Sequence, residues 1–384
     1  MTSMPALRDA WALDPTVVHL NHGSYGACPR VVLHRQSELR ALLEADPSDF
    51  FRRRLEPLLD DARSVLARFV GTRPEDLAFV PNATTAVNAV VRSLDLAPGD
   101  ELLTTDHAYG ACLNALRFAA DRAGAAVRIA RIGFPPTSDD EVIDTVVRAT
   151  GPRTRLVLLD QVTSPTALVF PVAALVRELE GRGAMVLVDA AHAPGMLPVS
   201  LDSVGASFTA GNLHKWVCAP KGAGFLHVRS DRKHLVRPTV ISHGASSRRT
   251  DRSRFQLEFD WVGTVDPTPW LCVPSALDFM VSLHPDGWPG VMCANREAAQ
   301  AGAALLGAGI PQRRPPVVEG AMASLVLPGD ADAAADLQER LYRHHRIEVP
   351  VIPFGGRRLV RISMQRYNAP GDVQTLLDAL LPLI

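Results

Sequence analysis

Val186-Leu-Val-Asp-Ala-Ala-His-Ala-Pro-Gly195 sets an acid directly behind a short apolar run, and Ser207-Phe-Thr-Ala-Gly-Asn-Leu-His-Lys-Trp216 sets a base behind a β-rich one. Each run has the length of a buried strand and is bounded by turn residues. Runs of the same kind stand at Leu77–Pro81, Glu101–Thr105, Ala126–Ile132, Leu156–Leu159 and Gly224–Val228. Between most of them lie stretches of helical period: Thr85–Leu94, Cys112–Ala123, Asp139–Ala149 and Val172–Gly181. Strand and helix in alternation predict an α/β unit on a mostly parallel seven-stranded sheet covered on both faces. Such sheets bind ligands beyond the carboxyl ends of their strands, so chemistry is expected in the residues just past each run.

Two helical stretches, Val31–Ala45 and Glu56–Val70, precede the alternation. The Ser- and Arg-rich stretch His243–Phe255 reads as a long loop, either solvated or at the mouth of a site. Beyond Pro267, Ala-rich helical stretches at Ala298–Leu306 and Ala331–Leu341 and β-like runs at Ser324–Leu327 and Leu359–Ser363 predict a smaller α+β domain. The expected division is an N-terminal segment, 1–18, packing with the small domain, a large domain, 19–265, and a small C-terminal domain, 266–384. A chain of 384 residues suits one large and one smaller unit.

With 40 Lys+Arg against 41 Asp+Glu, nothing drives the chain electrostatically toward nucleic acid or an anionic membrane. No apolar run is long enough to span a bilayer, and the N-terminus lacks the pattern of a secretion signal. A cytoplasmic enzyme without nucleic-acid or membrane partners is expected. Cys28, Cys112, Cys218, Cys272 and Cys293 are dispersed and contain no C-x-x-C pair. That argues against a disulfide framework or a cysteine-rich zinc site. His344 and His345 are adjacent and point different ways, so no metal is expected there. G-x-G-x-x-G, P-loop, H-E-x-x-H and G-x-S-x-G patterns are absent.

Three strand ends carry complementary polar groups. In Val80-Pro-Asn-Ala-Thr-Thr-Ala-Val-Asn88 a small-polar turn opens a helix. The free N–H groups at Ala83, Thr84 and Thr85, with the threonine hydroxyls, suit a phosphate dianion, although Asn82 or Thr84 also reads as a simple helix cap. Asp189 would satisfy a protonated pyridine nitrogen. Lys215, between His214 and Trp216, is costly as an ammonium, which favours a nucleophilic amine and a Schiff base. A phosphate cradle, a pyridinium partner and an imine-forming lysine point together to pyridoxal 5′-phosphate (PLP).

On these segments, and on Leu20-Asn-His-Gly-Ser-Tyr-Gly26 and Arg361-Ile-Ser-Met-Gln-Arg-Tyr-Asn368, the sequence resembles fold-type I PLP enzymes of the class V aminotransferase family, in the isopenicillin N epimerase-like branch. The resemblance runs almost end to end. It implies that Lys215 carries the cofactor and that Asp189 partners its ring nitrogen. It puts His192 and Ser164 near the ring hydroxyl, and Thr85, Asn212 and His214 on the phosphate. His107 matches the residue stacked on the ring, with Tyr109 as second candidate. The family is homodimeric with shared sites, so Gly263 and Thr264 resemble a phosphate contact given to the neighbouring chain. Arg361 matches the arginine that grips the substrate α-carboxylate; Asn21, His22 and Tyr25 are further candidate substrate contacts.

The resemblance implies breakage of a bond at Cα of an amino acid, with Lys215 as general base. The loop segment His344–Pro350 holds no cysteine where a cysteine desulfurase of this class carries its nucleophile. Tyr25 and Tyr109 are candidate acids for epimerisation. His22, Tyr25 and Asn212-Leu213 depart from the expected pattern of a true isopenicillin N epimerase. The reading therefore leans to β-elimination from a cysteine S-conjugate in secondary metabolism, with Arg248–Arg254 meeting a polar conjugate. Epimerisation, decarboxylation-coupled deamination and transamination are the alternatives.

Overall fold

The computed structural model describes residues 7–384; positions 1–6 of the expected N-terminal segment lie outside them. Seven strands form the large sheet: β1 (Leu77–Val80), β2 (Glu101–Thr105), β3 (Ala126–Ala130), β4 (Thr154–Asp160), β5 (Met185–Ala190), β6 (Phe208–Asn212) and β7 (Gly224–Val228). Their order is β1-β7-β6-β5-β4-β2-β3. Only β7 runs against its neighbours, β1 and β6; the remaining pairs are parallel. Every predicted run is recovered with its ends moved by a residue or two. Notably, β5 and β6 run on through Ala190 and Asn212, carrying polar groups into the strand ends themselves.

The inner strands read as unbroken apolar runs because helices cover both faces. On one face Leu156, Leu158 and Leu187 bury against α3 (Ala83–Ser93) and α4 (Gly110–Ala123). On the other, Val157, Leu159, Val186 and Val188 bury against α5 (Asp139–Ala149) and α6 (Val172–Gly181). Alternate residues of one strand thus enter different cores, as the two-residue period of a strand requires. The edge strand β3 is mostly exposed and carries Arg128, a charge that discourages pairing with another chain.

The two early helices, α1 (Arg30–Ala45) and α2 (Leu55–Val70), share a further core with α7 (Val273–Val281), through Leu39, Leu59 and Leu277. The stretch just past 266 therefore packs with the large unit. The C-terminal core begins with α8 (Gly287–Gly309) and includes β8 (Met322–Asp330), α9 (Ala334–His345), β9 (Val351–Phe354), β10 (Arg357–Ser363) and α10 (Pro370–Leu380). Its sheet is antiparallel, in the order β9-β10-β8.

The N-terminal stretch lies on this C-terminal unit. Val18–His19 pairs in parallel with Ile347–Glu348, and Asn21 bridges Ser363. Trp11 meets Tyr367 and Phe279 edge-on. The chain then turns at Gly26, which has φ of 69°. A side chain there would set its Cβ 1.9 Å from the His214 carbonyl oxygen. Left-handed backbone and close approach together demand glycine. Gly26→Ala should lower unfolding stability by more than about 1 kcal/mol, read from urea midpoints at unchanged m-value.

Candidate active site

A cavity of about 580 Å³ opens beyond the carboxyl ends of β1, β4, β5 and β6. Its floor is polar because Asp160 ends β4, Asn212 ends β6 and Asp189 stands one residue before the end of β5. At one wall, Asn82 caps α3: its Oδ1 accepts the Thr85 N–H at 2.9 Å. Asn212, at the end of β6, accepts the Ala83 N–H at 2.8 Å through its own Oδ1. Ala83, Thr84, Thr85 and Asn212 all line the cavity. Asn212 thus orients the helix start; of the three N–H groups expected to be free, those of Ala83 and Thr85 are taken by Asn212 and Asn82, which leaves the Thr84 N–H and the partial positive charge of the α3 N-terminus for a phosphate.

Asp189 stands near the end of β5, almost fully buried. Its Oδ1 accepts the Ala191 N–H at 2.9 Å and its Oδ2 the Cys112 thiol at 3.3 Å. Burial raises its pKa, and these donors oppose the rise. Lys215 Nζ lies 3.0 Å from His192 Nε2. Burial, and then the charge of Arg361, lower the Lys215 pKa to about 8. His192 is driven well below the usual histidine range by burial and by the Lys215 charge, so it is a neutral partner. His214 also lines the cavity, its Nδ1 3.2 Å from the Ala223 carbonyl.

Arg361, on β10 of the C-terminal unit, is 2% exposed and stands directly behind the cavity wall, against the lining residues Ser24 and Ser164, without lining the cavity itself. It donates to the Ser164 carbonyl, to Ser164 Oγ at 3.2 Å and to Ser24 Oγ at 3.0 Å. Among the described residues no carboxylate pairs with it, and burial lowers its pKa to about 10. A buried guanidinium without an acid is costly, and a ligand carboxylate would relieve that cost. Ser24, Tyr25, Tyr109 and Ser164 line the cavity beside it.

Several expected contacts fall elsewhere. His107 does not line the cavity: its ring is fully buried, with Nδ1 2.7 Å from Thr166 Oγ1 and Nε2 3.1 Å from the Ile132 carbonyl, among Phe134, Phe170 and Phe354. Both ring nitrogens are spent on holding loops, and Tyr109 is the aromatic residue at the cavity. His22 is likewise enclosed, 3.0 Å from both the Tyr367 hydroxyl and the Lys215 carbonyl, where it holds the lysine's backbone from outside the cavity lining. Asn21 also acts one step back, accepting from Ser24 Oγ at 2.5 Å while donating to Glu348 at 2.8 Å. Gly263 and Thr264 are absent from this chain's cavity wall. The arginine-rich loop is pinned away from it: Arg249 pairs with Glu56 and Arg252 with Asp60, both on α2.

Asp160, Cys112 and Lys221 were not anticipated. Asp160 and Lys221 line the cavity, and Lys221 Nζ donates to the Gly26 carbonyl at 3.0 Å. Asp160 carries the same sequence signature as Asp189, an acid ending an apolar run. Cys112 gives no such sign, since only the fold brings α4 beneath β5.

A seven-stranded sheet with this strand order, an amine at its rim and an acid on its floor defines an enzyme of the fold-type I PLP class. The aminotransferase class-V family profile matches residues 29–280, and the chain belongs to that PLP-dependent family. It is 38% identical to isopenicillin N epimerase of Amycolatopsis lactamdurans, over 100% of this chain and 99% of that one. It is 32% identical to a probable chloroplastic L-cysteine desulfhydrase of Arabidopsis thaliana, over 97% of this chain and 84% of the other. In fold it matches the cystine C–S lyase C-DES, solved with its reaction product cysteine persulfide, with a TM-score of 0.81 and 22% identity over 99% of both chains.

The residues present fit PLP. Buried polar atoms without a partner among the described residues, His192 Nδ1, Asp160 Oδ2 and Arg361 Nε, gather at this site. The chain has three lysines, Lys215, Lys221 and Lys233, so their reactivity is easily separated. In the apoprotein, Lys215 should acylate along a pH curve centred near 8, because its neutral amine dominates only above that value. Peptide mapping after pulse labelling reads this; a midpoint for Lys215 near the ordinary lysine value would contradict the burial argument.

Proposed function

We propose that this enzyme catalyses β-elimination from a cysteine S-conjugate, in a cytoplasmic route of secondary metabolism. The observation that carries the reading is a cavity whose wall holds Lys215, an amine with its pKa lowered to about 8, and no cysteine. Bound PLP, on Lys215, supplies the electron sink that acidifies the substrate Cα–H. Asp189 is suited to hold the ring nitrogen protonated. Thr84, Thr85 and the Ala83–Asn212 arrangement are suited to the phosphate, and His192 and Ser164 to the ring hydroxyl.

Arg361 grips the substrate α-carboxylate, with Ser24 and Ser164 fixing its plane. That grip orients Cα toward Lys215, whose Nζ, once freed by exchange with the substrate amine and neutral, takes the α-proton. The Cα–H and Cβ–S bonds break, a Cα–Cβ double bond forms, and sulfur leaves as a thiol. With water, the remaining fragment yields pyruvate and ammonia. Persulfide transfer to the protein is disfavoured: Cys28 and Cys272 are pushed up to about 12 by burial, and Cys112 and Cys218 further still.

Epimerisation is the second reading, favoured by 38% identity to an isopenicillin N epimerase along the whole chain. It needs a second proton carrier. Tyr109 and Tyr25 line the cavity, but burial raises the Tyr109 pKa and so makes it a weaker acid. A homodimer fits exposed Val240, Ile241 and Val265, the last adjoining Gly263 and Thr264, which would then serve the neighbouring chain's phosphate.

Incubation with S-alkyl cysteines should release pyruvate and thiol in equal amounts. Cα deuterium exchange with loss of optical activity, and no pyruvate, would replace elimination by epimerisation. Borohydride after PLP addition should add cofactor mass to the Lys215 peptide alone among the three lysines. Arg361→Lys should raise KM on the order of 10-fold or more with little change in cofactor binding, since an ammonium cannot reproduce the two-point grip.

A further inference from the structure

The reading above assigns no role to Asp160, although it sits in the cavity floor. Asp160 and Asp189 are register partners on the adjacent parallel strands β4 and β5. Both line the cavity, and they are 3% and 4% exposed. Their hydrogen bonding differs. Asp189 accepts on both oxygens, from the Ala191 N–H and the Cys112 thiol, as an ionised carboxylate does. Asp160 Oδ2 is buried and has no partner among the described residues.

A bare buried carboxylate oxygen is costly, and a second negative charge at the neighbouring register position adds repulsion. Carboxyl groups sharing a desolvated site settle into one charged and one protonated member. The other titratable groups facing the pair are Cys112 and Tyr109 at the start of α4, His192 beyond β5, Lys215 beyond β6 and Arg361 on β10. The two thiol and phenol groups are uncharged, His192 is neutral, and the two cations stand on the cavity side. Burial, and then the Asp189 charge, raise the Asp160 pKa well above the usual carboxylate range, outweighing the opposite pull of the Tyr109 and Asp160 backbone N–H groups and of the Lys215 charge.

We propose that Asp160 is a neutral carboxylic acid in the floor of the cofactor cavity, which leaves Asp189 as the single negative charge of the pair. It is a positioning residue, acting through Asp189. The inference draws on the PLP reading only for what Asp189 then serves.

Infrared spectra of the apoprotein test it. Wild type at neutral pH should show a protonated-carboxyl C=O band that shifts in D₂O. The band should be diminished in Asp160→Asn and retained in Asp260→Asn, a control for another buried acid with a raised pKa. PLP titration supplies a second arm. Asp160→Asn, which keeps the shape and the neutrality, should bind PLP within about twofold of wild type and keep the pH profile of its visible absorbance, whereas Asp189→Asn should weaken binding about tenfold or more. An unchanged infrared band in Asp160→Asn, or PLP loss equal to that of Asp189→Asn, overturns the proposal. Should the variant not fold, absence of any protonated-carboxyl band in wild type overturns it too. If wild type itself fails to bind PLP, the cofactor reading falls while the infrared result still decides Asp160.

Discussion

The structure turns on keeping one amine out of water without losing it to protonation. A buried ammonium is costly, and a nearby guanidinium raises that cost. Lys215 bears both burdens, from its own burial and from Arg361. Asp189 opposes them. The amine settles near neutrality, where both of its forms are accessible. Arg361 faces the same desolvation but holds its charge, because a guanidinium releases its proton far less readily.

That balance is assembled from distant parts of the chain. The strands bring Asp160, Asp189 and Asn212 to one edge of the sheet. The turn at Asn21–Gly26 clasps the lysine from beneath, through His22 on its carbonyl and Gly26 against His214. β10 sends Arg361 across from the C-terminal unit. Behind the side chains that line the cavity, much of the polar network serves to hold them still. His107, His22 and Asn21 are all of this supporting kind.

The large domain was legible in the sequence because buried parallel strands read as apolar runs and their helices as periodic stretches. Lys215 and Asp189 were legible because a charge at the end of such a run has few structural explanations. His107 misled because a histidine past a strand end looks alike whether it faces a ligand or locks a loop; only the fold shows Thr166 and the Ile132 carbonyl taking both nitrogens. The boundary at 266 followed a change in composition, but α7 packs by its apolar face on α1 and α2, a tertiary fact no local pattern carries. The arginine-rich loop read as a candidate mouth because its acidic partners, Glu56 and Asp60, lie almost two hundred positions upstream.

The clasp on Lys215 has a temporal side. His22 bridges to Tyr367 across 345 positions of chain, and Arg361 spans 337 to Ser24. During synthesis the large sheet has all seven of its strands long before either partner has left the ribosome. A nascent chain can therefore build its scaffold early, yet the Lys215 amine gains its final surroundings only after the segment carrying Arg361 and Tyr367 has been made and folds back. Until then the amine lacks the burial and the neighbouring guanidinium that loosen its proton.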